Sequence, residues 1–329
     1  MVEYAKPWLS LDDQVSKLQS RGVLIGERPS AVALLHRVGY YRLTGYLYPF
    51  RQSTCTGDSD GQPRLQVLNH YKPGTSLEHA SQLIDFDREL RMLVLDGIER
   101  IEVSLRMQVG YILGRVSPFA HQHKSTFVSA FTEEHLDLRT NSLTSRHAQW
   151  LHRVDTRQKD SDEAFVTHFR TKYDDQMPIW ALTEILEMGH LGRLYTGLSN
   201  SLATEIAQVY GAPTKKLMTS WISSLNYVRN VSAHHARLFN RKLVAAPGRP
   251  KPGLVPALDH LRDESSAKEV FGLYNALAIM AYLLQSIETD SKWSQRVIDL
   301  VKDFPELPGF TISTMGIPAN WTQQELWQA

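Results

Sequence analysis

A single cysteine, Cys55, in 329 residues excludes an intrachain disulfide, a cysteine-based zinc site and a thiol pair. Long hydrophobic runs are equally scarce. The longest uncharged apolar stretch, Phe271 to Ile287, is interrupted by Gly272, Tyr274, Asn275 and Gln285. It falls short of the ~20 apolar residues a membrane span requires, so no membrane is expected among the partners. The first residues, MVEYAKPWLSLDD, carry an acid and a tryptophan where a secretory signal would show a basic end and an apolar run, and the expected location is the cytoplasm. Neither sign of charge is in excess: 36 Lys and Arg face 35 Asp and Glu, a net charge of +1, which argues against nucleic-acid coating by bulk charge. What remains, 42% apolar and 22% charged residues, is the composition of an ordinary globular chain long enough for one large domain or two modest ones.

The charge is unevenly placed. Ile206 to Leu258 contains no Asp or Glu but eight cations, Lys215, Lys216, Arg229, Arg237, Arg241, Lys242, Arg249 and Lys251, which leaves a charge of −7 on the rest of the chain. A cationic surface on a mildly acidic body is the footprint of phosphate-backbone binding. The alternative is a solvated face balanced by acids from elsewhere.

Apolar periodicity predicts a mainly α-helical, all-α protein. Ser10 caps a first helix through Val15 and Leu18, Ser30 to Arg37 forms a second, and the aromatic block from Gly39 to Phe50 fits neither helix nor strand clearly. Its Tyr40, Tyr41, Tyr46 and Tyr48, interleaved with Arg37, Arg42 and Arg51, could stack on unpaired bases or serve packing. Gln52 to Arg64 is polar and turn-rich and reads as a loop. Thr75-Ser76-Leu77-Glu78 fits a capping box that opens a long helix to Gly114, stopped by Pro118. Further helices are expected to Asp175, then one starting near Pro178 with Trp180, Leu182, Ile185, Leu186 and Leu191 on its buried side, then Thr214 to Asn240 and Ala267 to Ile287. His121, His123, His147 and His152 lack a carboxylate at ligand spacing and are read as surface histidines, so no metal and no cofactor are expected. The segment expectations are an N-terminal accessory module, 1–72, with possible RNA contact, a helical bundle, 73–290, and a C-terminal helix and tail, 291–329.

The chemistry is concentrated in residues 221 to 241, WISSLNYVRNVSAHHARLFNR. On one continuous helix, Asn226, Arg229, Asn230, His234, Arg237, Asn240 and Arg241 share an arc of about 140°, while Trp221, Val228, Val231, Leu238 and Phe239 lie opposite. Arginine forks and asparagines without a carboxylate suit phosphate oxygens rather than a metal. An imidazole such as that of His234 can exchange a proton near neutral pH, and a fixed cation such as Arg229 can stabilise a pentacoordinate phosphorus transition state. RNA cleavage through the 2′-hydroxyl needs only these two functions. Five residues apart, the two stand at the edges of the face, so two helices facing each other would converge better and a homodimeric site is expected. His235 falls in the apolar arc and is read as a core or supporting histidine. Lys215, Lys216, Asn226, Arg237, Arg241 and Lys242 are the candidate RNA contacts. Glu102 and Arg106 on the long helix are either an ordinary i,i+4 pair or supports that hold a catalytic side chain.

Arg229-Asn230-Val231-Ser232-Ala233-His234 resembles the Arg-x4-His signature of HEPN-domain ribonucleases. Lys6-Pro7, the block Gly39 to Tyr46, Phe86 to Arg91, Ile98 to Arg106, Pro178-Ile179-Trp180-Ala181 and Val228 to Asn240 resemble, in order, the Abi family (AbiD/AbiF-like) of bacterial abortive-infection proteins. The resemblance implies a HEPN-like helical bundle that dimerises, metal-independent RNA cleavage, and a role in phage defence or as the toxin of a toxin–antitoxin pair, in some members beside a small structured RNA that restrains the protein. Carried over by residue, Arg229 would be the phosphate-stabilising cation, His234 the general acid/base and Asn230 the orienting group. Related HEPN toxins silenced by tyrosine modification carry Tyr where this chain has Ala236, which puts that control in doubt here. The competing expectations are a non-catalytic RNA-binding protein using the same face and a HEPN protein acting only through protein partners.

Overall fold

The computed structural model describes residues 3, 5–57, 63–138, 141–262, 272–288 and 290–328. It is mainly α-helical, as the periodicity predicts, with two small antiparallel hairpins. The chain divides into two compact units, 1–90 with 303–311 and 91–302 with 312–329.

In the first unit, α1 (Leu11–Ser20) starts at Ser10, whose hydroxyl oxygen accepts from the Asp13 backbone N–H at 3.1 Å, satisfying a donor the first turn leaves open. α2 (Arg28–Val38) has a proline in its first turn. Gly39, at φ +83°, allows the chain to turn straight into α3 (Tyr40–Leu47). The aromatic block is therefore largely helix. Leu43, Leu47 and Phe50 are buried, and the buried Tyr46 hydroxyl donates to the Asp87 carboxylate at 2.6 Å. Tyr41 remains exposed and Tyr48 lies under the Arg51 guanidinium.

The loop expected from Gln52 to Arg64 is instead part of a hairpin, β1 (Arg51–Gly57) and β2 (Pro63–Tyr71), with Ser53 opposite Val67 and Cys55 opposite Leu65. Residues 58–62 of that segment lie outside the described residues. α4 (Leu77–Val116) runs 40 residues and contributes to both units. Its capping box lies one residue later than expected. The His79 N–H donates to Ser76 Oγ at 3.3 Å and the Ser76 N–H to His79 Nδ1 at 3.4 Å, while the Thr75 hydroxyl is spent on the Lys72 carbonyl.

The second unit holds α5 (Ser129–Thr132), the short pair β3 (His135–Asp137) and β4 (Ser142–Thr144), α6 (Arg146–Lys159), α7 (Ala164–Tyr173), α8 (Ile179–Leu182), α9 (Met188–Gly197), α10 (Asn200–Val209), α11 (Lys215–Ala233), α12 (Leu273–Ile287) and α13 (Trp293–Lys302). The single helix expected after Pro178 is thus broken, because Leu186 and Glu187 are extended between α8 and α9. Trp180 is half-exposed rather than buried. The apolar run that is too short for a membrane becomes α12, of which all but a few residues are buried. It is apolar around its whole circumference because it lies within the core. Residues 267–271 of the helix expected there lie outside the described residues. Among the described residues no helix is long and apolar enough to cross a membrane.

Gly97 lets the core close against α4: a Cβ there would meet Trp293 Nε1 at 2.7 Å, where that indole donates to the Leu93 carbonyl at 2.9 Å. His121 and His147, expected at the surface, are buried. They pack against Phe127 and Trp150, and His147 Nε2 bonds the His121 carbonyl oxygen at 2.8 Å.

Candidate functional site

Helix α11 positions the motif. Thr214 caps it by accepting from the Leu217 N–H, and Met218, Trp221, Ile222, Leu225, Val228 and Val231 are buried at i, i+3, i+4, i+7 spacing, which fixes the helix rotation. The Trp221 indole donates to the Gly248 carbonyl at 2.8 Å and the Gly248 N–H donates to Ser220 Oγ at 2.8 Å. The segment following α11 therefore folds back along it.

The helix expected to reach Asn240 stops at Ala233. His234 is its C-cap, and His235, at φ +56°, takes the left-handed position beyond it. The His235 N–H bonds the Ser232 carbonyl and the Ala236 N–H bonds the Val231 carbonyl, each at 3.0 Å. This is a Schellman ending, with histidine where glycine is usual. Two corrections follow. His235 is exposed rather than in the core, because the chain leaves helical geometry before its side chain can reach the apolar arc. Arg237, Asn240 and Arg241 do not continue the helical face of Asn226, although Leu238 and Phe239 are fully buried as expected.

Arg229, Asn230, Glu102 and Arg106 come together. Arg229 Nη1 donates to Asn230 Oδ1 at 3.2 Å. Arg229, Glu102 and Arg106 line one cavity of about 290 Å³ between α11 and α4. Arg106 donates to Glu102 Oε1 at 2.6 Å and to the Glu184 carbonyl at 3.0 Å, so its guanidinium is fixed from two sides while its Nε is buried without a partner among the described residues. Glu102 is itself buried. Glu99 lines the cavity as well, so two carboxylates and two arginines share it, with Glu102 paired to Arg106 in an arrangement that holds these side chains in place. The i,i+4 pair on α4 and Arg229 line the same cavity. Glu184, whose carbonyl accepts from Arg106, carries no spacing signal in the sequence, and neither does Tyr227, whose hydroxyl accepts from Arg241 at 3.4 Å.

His234 is exposed at the helix end, about 8 Å along the axis and about 140° around it from Arg229. The candidate RNA contacts are dispersed. Lys215 is half-buried and its ammonium donates to the Leu198 carbonyl; burial lowers its pKa. Lys216 is exposed but lies about 20 Å along α11 from Arg229. Asn226 belongs to a different cavity. Arg241 is tied back to the Arg237 carbonyl at 2.9 Å, and Lys242 is exposed. Among the described residues no group of three or more His, Cys, Asp or Glu side chains could hold a metal ion.

The family model described as Abi-like protein matches residues 33–240, well over half of the chain, and the protein belongs to that family. Membership suggests a role in abortive-infection defence against phage. No curated protein and no solved structure matches the chain.

Proposed function

We propose that the protein is a metal-independent endoribonuclease of an abortive-infection or toxin–antitoxin system, acting in the cytoplasm at a HEPN-type Arg-x4-His site completed by two copies of the chain. The observation that carries this reading is the Arg229 cavity. Arg229 is held by Asn230 and lines the same cavity as the Glu102–Arg106 pair, while His234 stands exposed at the end of the same helix. His234 takes the proton from a ribose 2′-hydroxyl, and the 2′-oxygen attacks the adjacent phosphorus. Arg229 stabilises the charge on the phosphoryl oxygens, the bond to the 5′-oxygen breaks, and that oxygen takes up the proton that the His234 imidazole accepted. The products are a 2′,3′-cyclic phosphate and a 5′-hydroxyl.

Pairing of copies is supported by Val103, Met107 and Tyr111, exposed at i, i+4 and i+8 on α4, with Val103 on the wall of the Arg229 cavity. A second copy laid on this stripe would bury it and bring its own Arg229 and His234 close. A small structured RNA that occupies the site would restrain the enzyme.

The test is incubation of the purified protein with single-stranded RNA in EDTA, with analysis of product ends. Cyclic phosphates and 5′-hydroxyls are expected; cleavage only on addition of a divalent metal would contradict the mechanism. The carboxylate-free stretch from Ile206 to Leu258, with Lys216 and Lys242 exposed, favours one second reading, a non-catalytic RNA-binding protein of the same defence system. Salt-sensitive RNA binding without cleavage would select it.

A further inference from the structure

On the flank of α11 that carries Asn226, helices α6, α9 and α11, with Phe131 of α5, line a cavity of about 460 Å³. Helix α6 contributes Arg146, Gln149 and Arg153 at i, i+3 and i+7, a single helical face, and α9 adds Arg193. From α11, Ser223 and Asn226 complete the polar wall. The floor is apolar: Trp150, Met188 and Ile222 are buried, and the Trp150 ring is held by its indole N–H, which donates to the His190 carbonyl at 3.0 Å. Gly192 lets α9 approach α11 here, since a Cβ would meet Ile222 Cγ2 at 3.0 Å.

The charge of this cavity is unbalanced. No Asp or Glu is among its lining residues, and Arg146, Arg153 and Arg193 form no ion pair and no side-chain hydrogen bond among the described residues. Arginines that merely solubilise a surface neither converge on a concavity nor exclude every carboxylate from its walls. Guanidinium forks match phosphate oxygens in pairs. A convergent uncompensated cluster raises local anion concentration, and a concave site of several hundred Å³ with an apolar floor and a few polar groups is suited to a small organic ligand.

We propose that this cavity binds a nucleotide unit, with its phosphate on Arg146, Arg153 and Arg193, its base against the floor and its polar edges toward Ser223 and Asn226. The unit is either a free mononucleotide or one residue of a single-stranded RNA. Asn230 lies one helical turn beyond Asn226 on α11, so an RNA strand seated here runs toward His234. The cavity does not depend on the ribonuclease reading, since it uses neither Arg229 nor His234.

The test uses the full chain with His234→Ala, so that RNA stays intact, and measures binding of adenosine 5′-monophosphate, inorganic phosphate and a fluorescent single-stranded 12-mer RNA. Arg153→Ala and Arg193→Ala, checked for unchanged circular dichroism, should each weaken binding about tenfold, and Arg153→Lys should recover part of it. Loss for the mononucleotide alone identifies a free nucleotide as the ligand. Loss for RNA alone, with the salt slope reduced by about one per arginine, identifies a strand subsite, and loss for both means that either source fits. Unchanged affinity for all three probes in both alanine variants would overturn the proposal. A fall that Arg153→Lys does not relieve at all would do so too, because a point charge at the same place should still attract phosphate.

Discussion

The two flanks of α11 hold their arginines in opposite ways. On one, Arg229 and Arg106 share a cavity with the buried Glu102, and hydrogen bonds to Glu102, Asn230 and the Glu184 carbonyl fix where the guanidinium groups sit. On the other, Arg146, Arg153 and Arg193 surround a larger cavity without a counter-charge. A positioned cation suits a transition state, whose charge develops at one place. Cations left free to adjust suit capture of a ligand that brings its own charge. On the proposed reading, one helix separates placing a phosphate from attracting one.

The largest expected break in this comparison is on the positioned flank. Arg229→Lys keeps the charge but loses the fork that Asn230 holds, and cleavage of single-stranded RNA should fall by about 100-fold or more, measured as a rate under single-turnover conditions. Next in size is Glu102→Ala, which takes away the buried carboxylate that pairs with Arg106. It should cost about 3 kcal/mol of stability, read from urea unfolding, whereas Arg193→Ala on the uncompensated flank should cost almost nothing.

The free flank is sharpened by pH. His121 is buried against Trp150 of α6, and its pKa is lowered to about 4, chiefly by burial and then by His147 and His123. A folded-state pKa below the unfolded 6.5 means the unfolded chain binds more protons between those values. Stability contributed by keeping His121 neutral is intact above pH 6.5 and is lost as pH falls toward 4, by about 3 kcal/mol at the end of that range. His121→Leu should flatten this loss in thermal melts at pH 7.5 and 4.5, and Glu102→Ala should not. The smallest effect concerns the helix end. His235→Gly removes a side chain from a left-handed position and should raise stability by about 0.5–1 kcal/mol, as a higher urea midpoint.

Legibility from sequence followed the strength of the local signal. Ser10 declares the start of α1 because a hydroxyl before Leu11 has an open N–H to accept from, and α4 was readable almost to its ends because its buried positions recur through 40 residues. The hairpin at Arg51–Gly57 and Pro63–Tyr71 was not readable, since Leu65 and Val67 are exposed and a strand with little buried face has little alternation to show. The end of α11 was hidden because His235 does what a glycine would have announced. Pairing of Glu102 with Arg106 was legible from spacing alone, but its meeting with Arg229 depends on how α4 packs on α11, which no local pattern encodes. Lys215 reads as a surface cation and is instead half-buried on the Leu198 carbonyl.

Adjacent exposed histidines give the most direct test of the central claim, that His234 moves the proton in RNA cleavage. Cleavage of one single-stranded RNA in EDTA should be compared for the parent, His234→Ala and His235→Gly, all folded to the same thermal midpoint or better. The account predicts a rate at least 1000-fold lower for His234→Ala, on the order of what a lost general base costs, and a rate within a few-fold of the parent for His235→Gly. Equal activity in the parent and His234→Ala would contradict it.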